Sequence, residues 1–252
     1  MPSAADEPTS RPHWLWIIVG FAVSLFFLFG WFDQSLQATL SVDTPTRLVI
    51  VSDAGRVELS SIPVGEATII ERRDSWLFSE PRFEMAEADG EAMVRVSCPG
   101  RFPCRSDLRA EVPVGTEVVV VATRGVVDVR GHDGSLSIYT SSTDGVVLGP
   151  IAGSARILSS DGPVNGFHLA LDDLEVAVQQ SSVRVSFARS PSSVVVSGSE
   201  NLVQIGLPQR FYRVDVETDS ASVIVDVNQS INSNRGIDVA SKGPVRVVVS
   251  DQ

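Results

Sequence analysis

Cysteine, histidine and basic residues are scarce in this sequence. Its 252 residues include two cysteines and three histidines, and 31 acidic side chains outnumber 20 basic ones, giving a formal net charge of −11. Nucleic-acid binding requires clustered lysines and arginines that neutralise phosphates, so the composition argues against a nucleic-acid partner. The sequence has no Gly-x-Ser-x-Gly, His-Glu-x-x-His or phosphate-loop motif. We therefore predict that the protein is not an enzyme and has no cofactor.

One long apolar run stands near the N-terminus. Residues Trp14–Phe32 contain no charge, and a helix of that length spans roughly 28 Å, close to the hydrocarbon thickness of a bilayer. Tryptophans at both ends suit the membrane interface. A cleaved signal peptide is the alternative, but it needs a basic leader and a shorter apolar run. The leader here has two acidic residues and one arginine, which favours an uncleaved transmembrane helix.

The basic residues near the apolar run predict its orientation. Arg11 and the α-amino group precede it, and the first basic residue after it is Arg47. The positive-inside rule then places the N-terminus in the cytoplasm. We predict a cytoplasmic tail at 1–13, a transmembrane helix at 14–32, a linker at 33–46 and an extracytoplasmic domain at 47–252.

The two cysteines lie close together, in the stretch Cys98-Pro-Gly-Arg-Phe-Pro-Cys104. An extracytoplasmic location favours a disulfide across the Pro-Gly turn, because disulfides persist outside the cytoplasm. A metal site and two free thiols are the alternatives. Zinc needs about four ligands, and no second Cys or His pair lies nearby.

From Arg47 onward the sequence predicts an all-β fold. Short runs of alternating apolar residues are separated by turn residues, and many runs place apolar residues at the second and often the fourth position after a glycine, as in Gly-x-Val-x-Val. Five of these glycines, at positions 125, 134, 145, 153 and 162, are 9, 11, 8 and 9 residues apart. A repeated register favours a single-stack parallel β-solenoid with two short strands and about 17–20 residues per coil. Glycine would permit positive φ at each corner and leave room for the next coil.

Four segments carry a resemblance to a known family. These are "VPVGTEVVVVATRGVVDVRG" (112–131), "SSTDGVVLGPIAGSARILSSDGPV" (141–164), "FARSPSSVVVSGSENLVQIGLPQRFYRVDVET" (187–218) and "ASKGPVRVVV" (240–249). Their content and order resemble the bacterial putative-adhesin family, a domain of unknown function that looks like auto-transporter adhesin stalks.

The resemblance covers most of 47–250 and has two departures. Segment 71–111, which includes the cysteine pair, is not a clean repeat, and 162–178 is irregular. The resemblance implies a place in the bacterial cell envelope behind one plasma-membrane span and a link to envelope-stress responses. It implies no catalytic residues.

Two groups in segment 71–111 are candidate partner surfaces. Arg101, Arg105 and Arg109 surround the cysteine pair and could contact an anionic envelope polymer or lipid head groups, although a solvated loop has the same composition. Trp76 and Phe78 could instead cap the open N-terminal end of the solenoid, or bind a partner.

Aspartates before the corner glycines raise the question of calcium. Asp133, Asp144 and Asp161 each precede a glycine, but Asp-Gly is also ordinary turn chemistry and the known calcium-binding repeat is absent. His132 beside Asp133 has the same turn interpretation. We predict no metal site.

Four functions fit this sequence to different degrees. We favour a membrane-anchored, non-catalytic, adhesin-like binding or scaffold module whose partner is an envelope protein or polymer. A self-assembling bactofilin-like protein and an envelope-stress accessory that acts through a membrane partner are the alternatives, and a lyase-like enzyme is the least favoured. The sequence predicts no oligomeric state.

Overall fold

The structure is a computed structural model that describes residues 21, 36–42, 44–74, 81–99 and 104–250. The chain divides into two compact units, Met1–Gln34 and Ser35–Gln252. In the first unit only Phe21 is described, and it is helical and exposed. No helix within the described residues is long and apolar enough to cross a membrane. The predicted tail and, except for Phe21, the predicted transmembrane helix lie outside the described residues.

The described part of the second unit consists of strands, turns and loops. Its strands, in chain order, are β1 (Leu36–Val42), β2 (Arg47–Ser52), β3 (Gly55–Ile62), β4 (Ala67–Asp74), β5 (Arg82–Ala88), β6 (Glu91–Ser97), β7 (Arg105–Pro113), β8 (Glu117–Val129), β9 (Asp133–Leu148), β10 (Ala152–Ser159), β11 (Val164–Val178), β12 (Val183–Phe187), β13 (Ser193–Ser199), β14 (Val203–Leu207), β15 (Phe211–Thr218), β16 (Val223–Asp226), β17 (Asn228–Gln229), β18 (Gly236–Ser241) and β19 (Val245–Val249).

These strands form two ladders. Ladder 1 contains, in spatial order, β5, β6, β2, the first half of β8, the first half of β9, β10, the second half of β11, β13, β18 and β15, with the short β17 beyond β15. Ladder 2 contains β1, β4, β7, β3, the second halves of β8 and β9, the first part of β11, β12, β14, β19 and β16. The long strands β8, β9 and β11 pass from one ladder to the other.

Most pairings are parallel, but the sheet is mixed. Three pairings are antiparallel: β1 with β4, β4 with β7, and β5 with β6. The prediction of a purely parallel stack is therefore wrong at the N-terminal end, while the predicted all-β class is confirmed. One physical reason is the two-residue turn between β5 and β6. Asp89 and Gly90 both have positive φ, 53° and 79°, as in the tight turns that join antiparallel strands.

The stacked strands repeat at the predicted interval, although not always in chain order. Val120 pairs with Ile138, and Ile138 pairs with Ile157, so neighbouring positions are 18 and 19 residues apart. At both ends, however, a pair of strands is inserted out of sequence. β2 and β3 lie between β6–β7 and β8, and β18 and β19 lie between β13–β14 and β15–β16. A single stack implies that each unit lies beside the one before it in the sequence, and this is wrong at these two places. The alternation of apolar and polar residues determines which side chains point inward, but it does not determine which strands become neighbours.

Alternating side chains from both ladders form one core. Residues of β2 alternate between half-buried and buried, and the inward residues of the two ladders belong to a single hydrophobic cluster rich in valine, isoleucine and leucine. Period-two alternation is what a sheet with one buried face requires. The outer face of each ladder, which is the side away from this cluster, is therefore the surface available to a partner.

The stacking is tightest where glycines of adjacent strands meet. Gly125 of β8 has a φ of +107°, and a side-chain carbon there would overlap the backbone carbonyl of Gly55, its partner on β3. Both the backbone conformation and the close approach therefore require glycine at position 125. The role that the sequence predicted for this corner glycine is confirmed.

Candidate anion-binding face

Of the residues predicted to form a partner surface, two have described positions. Arg105 and Arg109 lie on the outer face of β7, whereas Arg101, Trp76 and Phe78 lie outside the described residues. Arg105 Nε is 3.0 Å from Asp107 Oδ1, and an Arg109 guanidinium nitrogen is 2.8 Å from Glu111 Oε1. These two arginines are therefore neutralised by carboxylates two residues further along the same strand.

The adjacent strands continue this pairing. Arg56 of β3 lies 3.4 Å from both Glu58 and Asp128, and Arg130 donates hydrogen bonds of 2.9 and 3.1 Å to the two oxygens of Asp128. The hydrogen bonds that Arg130 donates to Asp128 raise the pKa of Arg130. We call this part of ladder 2 the paired-charge face; it contains Arg56, Glu58, Arg105, Asp107, Arg109, Glu111, Asp128 and Arg130.

The same outer face has a different character in the C-terminal half of ladder 2. Arg184 of β12 is in register with Gln204 of β14, which is in register with Arg246 of β19. Both arginines are exposed, and neither forms an ion pair with another described residue. We call Arg184, Gln204 and Arg246 the arginine row.

A shallow groove of about 560 Å³ lies along the arginine row, and its lining includes Gly166, Ser186 and Gly206. A side-chain carbon at Gly206 would lie 3.3 Å from the Cβ of Ser250 and 3.4 Å from that of Ser186. The absence of a side chain at Gly206 therefore leaves the groove open beside Ser186 and Ser250. Asp226 also lines the groove and is the one carboxylate among its described lining residues.

This arrangement provides hydrogen-bond donors for an anion. Guanidinium groups bind carboxylates, sulfates and phosphates through paired N–H donors, and the hydroxyl groups and the amide of Gln204 can add further hydrogen bonds. The two arginines are two strand spacings apart, roughly 10 Å, so one small anion does not span them. Successive anionic groups along a polymer can contact both arginines.

No metal site accompanies the groove. The described part of the chain holds no group of three or more His, Cys, Asp or Glu side chains that could ligate a metal. Asp133, Asp144 and Asp161 are all exposed, and the backbone carbonyl of Asp161 accepts a 2.8 Å hydrogen bond from the Ser159 hydroxyl, two residues earlier. That local contact is typical of a turn.

His132 lies in the connection between β8 and β9, in agreement with the turn interpretation. It is only 1% exposed, and its Nδ1 lies 3.0 Å from the Ser61 hydroxyl. Its Nε2 is buried without a hydrogen-bond partner, and burial lowers the pKa of the imidazole. This histidine is a packing element between β3 and β9, and it is remote in sequence and in strand order from the arginine row.

The cysteine pair is bonded as predicted. Cys98 and Cys104 form a disulfide with their Cα atoms 5.8 Å apart, and no free cysteine exists. The backbone N–H of Cys98 donates to Asp53, which ties the start of this loop to the turn after β2. The free-thiol and metal alternatives are not what the structure contains.

Sequence reasoning overlooked the arginine row, although a signal was present. Arg184 and Arg246 are each the centre of a Val-Arg-Val triplet, and Gln204 is the centre of Val-Gln-Ile. Alternation identifies all three as outward residues. Their adjacency was inaccessible because β19 reaches its place beside β14 out of chain order.

Comparison with known proteins gave matches among solved structures. No protein-family model matches the chain, and neither does any curated protein. A "putative adhesin" from Bacteroides fragilis is 11% identical, with 86% of this chain and 98% of that chain covered and a TM-score of 0.48. A "putative cell adhesion protein" from Clostridium sporogenes is 12% identical, with 85% and 98% covered and a TM-score of 0.36. A "Putative lipid binding protein" from Parabacteroides distasonis is 9% identical, with 84% and 96% covered and a TM-score of 0.25.

Proposed function

We propose that this protein is an adhesin-like, non-catalytic binding module of the bacterial cell envelope, and that its ligand is an anionic polymer bound along the arginine row. The observation that carries the proposal is the pair of exposed arginines without ion pairs, Arg184 and Arg246, on either side of Gln204 above a glycine-floored groove. In a chain with a net charge of −11, two free cations on one row form a local site of opposite sign.

We also propose a solenoid architecture and a membrane anchor for this chain. The domain from 47 to 252, together with β1, is a β-solenoid in which coils that follow one another in sequence stack in parallel 18 to 20 residues apart, and antiparallel strands close its N-terminal end. The parallel registers support this. Residues 14–32 anchor the chain in the plasma membrane with the N-terminus inside. The uncharged apolar run and the disulfide, which suits an extracytoplasmic location, support this arrangement.

Polymer binding is tested with one charged and one neutral polysaccharide. The full-length protein in detergent is titrated with fluorescently labelled polygalacturonate and with labelled dextran of the same length. We expect binding to polygalacturonate that weakens as NaCl rises from 50 to 500 mM, since salt screens exposed charges. Equal binding to dextran, or binding indifferent to salt, would refute the proposed ligand class.

The location is tested independently with the cysteines. Intact cells are treated with a membrane-impermeant maleimide before and after mild reduction. Labelling that requires reduction but not lysis is expected for an extracytoplasmic disulfide. Labelling that requires lysis would place the domain in the cytoplasm and exclude the envelope role, whatever the polymer assay shows.

A further inference from the structure

The last coil of the stack has an unpaired edge. β15 pairs with β18 on one side, and on its other side the short β17 meets only Phe211 and Tyr212. β16 pairs with β19 alone among the described strands. We call Arg213–Thr218 of β15 and Val223–Asp226 of β16 the terminal edge. Its outward backbone N–H and C=O groups form a template for an additional strand.

Apolar side chains that continue the core are incompletely buried at the terminal edge. Val245 is 1% exposed, whereas Val223, its partner on β16, is 42% exposed. On ladder 1, Ile237 is fully buried, but its partner Val214 is only partly buried. Val216 and Val225 also are only partly buried against the core. One more strand on each ladder would complete the burial of these valines.

The terminal edge is acidic. The coil from 211 to 227 has one basic residue, Arg213, and four acidic ones, Asp215, Glu217, Asp219 and Asp226. None of the four carboxylates is ion-paired with a described residue. A partner that covers this edge therefore gains from basic side chains, because opposite charges on neighbouring strands stabilise their pairing.

Charge argues against a second copy of the chain as the partner. Two terminal edges placed against each other would oppose like charges. A head-to-tail contact would bring the acidic β15 against β5, the edge strand at the other end of ladder 1, which exposes Glu84 and Glu87. Like charges on directly opposed strands are destabilising.

We infer that the terminal edge binds an extended segment of another protein, alternating apolar and basic residues, by adding it as a strand beside β15. The backbone of that segment would pair with the free side of Arg213–Thr218. Its apolar side chains would cover Val214 and Val216, and its basic side chains would lie near Asp215 and Glu217. The added strand would lie beside β15 on ladder 1 and would share no residue with the arginine row of ladder 2, although Asp226 of the terminal edge also lines the groove there. Its binding does not depend on the proposed polymer.

The test uses three labelled decapeptides with full-length protein in detergent, read by fluorescence anisotropy. One alternates valine and lysine, one alternates valine and glutamate, and the third is the valine–lysine peptide with alternate backbone amides N-methylated on the pairing side. We expect only the first to bind. Equal binding of the N-methylated peptide would mean attraction of charges without strand addition and would overturn the inference, as would binding of the glutamate peptide.

Matched protein variants locate the site. Asp215→Asn with Glu217→Gln is expected to weaken the valine–lysine peptide about fivefold to tenfold, while Glu84→Gln with Glu87→Gln, an equal charge change at the opposite end, leaves it unchanged. An equal loss in both variants would overturn the inference. So would a concentration-dependent dimer or filament of the wild-type protein that Val223→Lys abolishes, because the edge would then belong to a second copy.

Discussion

The two halves of the outer face of ladder 2 share one strand geometry and differ in charge pairing. On β7 and β3 and at the end of β8, each arginine of the paired-charge face has a carboxylate two residues away in the sequence, as in Arg105 with Asp107. On β12 and β19 the corresponding neighbours are neutral, for example Ser182 and Ser186 around Arg184. In a strand, residues i and i+2 lie on the same face. In the paired-charge face each arginine is therefore ion-paired with its same-face acid, whereas Arg184 and Arg246 have no same-face acid and stay available to a ligand.

The largest expected effect concerns the stacking of β3 on β8, which holds the paired-charge face together. Gly125→Ala places a side-chain carbon on the Gly55 carbonyl at positive φ and should cost roughly 3–5 kcal/mol of unfolding free energy. Gly131→Ala is the matched control, since Gly131 has a φ of +65° with no atom within 4 Å of the added carbon, and should cost about 1 kcal/mol. Urea denaturation measures both. Equal losses would show that the contact with Gly55 is unimportant.

A smaller effect is expected from the disulfide, which has no counterpart in the C-terminal half. Cys98→Ser with Cys104→Ser opens a loop whose ends are six residues apart in sequence, and the chain-entropy relation gives a loss of about 2 kcal/mol. Thermal unfolding of the variant and of reduced wild-type protein should agree. Polygalacturonate affinity should stay at the wild-type value, and a loss of affinity would mean that the two halves are not independent.

Acidification should lower the free energy of unfolding through His132, which lies in the N-terminal half. Its pKa is lowered in the folded state by burial, so the unfolded chain takes up the proton first as pH falls. The stability is present above the unfolded pKa of about 6.5 and declines below it, by at most about 1.4 kcal/mol per pH unit. Urea midpoints at pH 7.5 and 5.0 measure the decline. His132→Gln should reduce the dependence of the unfolding free energy on pH in this range. An unchanged slope would exclude His132 as the source of the decline.

The smallest effect sharpens the charge comparison directly. Asp128→Asn removes the carboxylate that pairs with Arg130 and Arg56, and should raise polygalacturonate affinity about twofold to threefold by exposing an arginine in the paired-charge face. Asp144→Asn makes the same change of net charge at an exposed position and should leave the affinity unchanged. If the affinity for polygalacturonate rises equally in both variants, net charge rather than local ion pairing controls binding.

Much of the fold was predictable from alternation and glycine spacing. The all-β class follows from the period-two patterns, the glycine spacing predicted an interval of about 17–20 residues of the kind that separates Val120 from its partner Ile138, and Gly125 has its predicted role. The out-of-order coils and the antiparallel N-terminal strands were not predicted, because a Val-x-Val pattern specifies an inward face but not a neighbour. The Asp89-Gly90 turn was a local signal of antiparallel pairing in the sequence.

The candidate site was less predictable than the fold. The sequence directed attention to Arg105 and Arg109 because they cluster near the cysteines, but both are paired within their own strand. Arg184 and Arg246 are 62 positions apart in the sequence and become neighbours across Gln204 only through the inserted β19. Long-range strand order, which composition does not encode, creates this site.

The most direct test compares two double variants that remove the same charge from ladder 2. Dissociation constants for labelled polygalacturonate are measured for Arg184→Gln with Arg246→Gln and for Arg105→Gln with Arg109→Gln. The account predicts that the first double variant loses at least about tenfold in affinity, while the second stays within about twofold of wild type. Equal losses, or a larger loss in the Arg105 and Arg109 variant, would contradict the claim that unpaired arginines in the C-terminal half form the binding site.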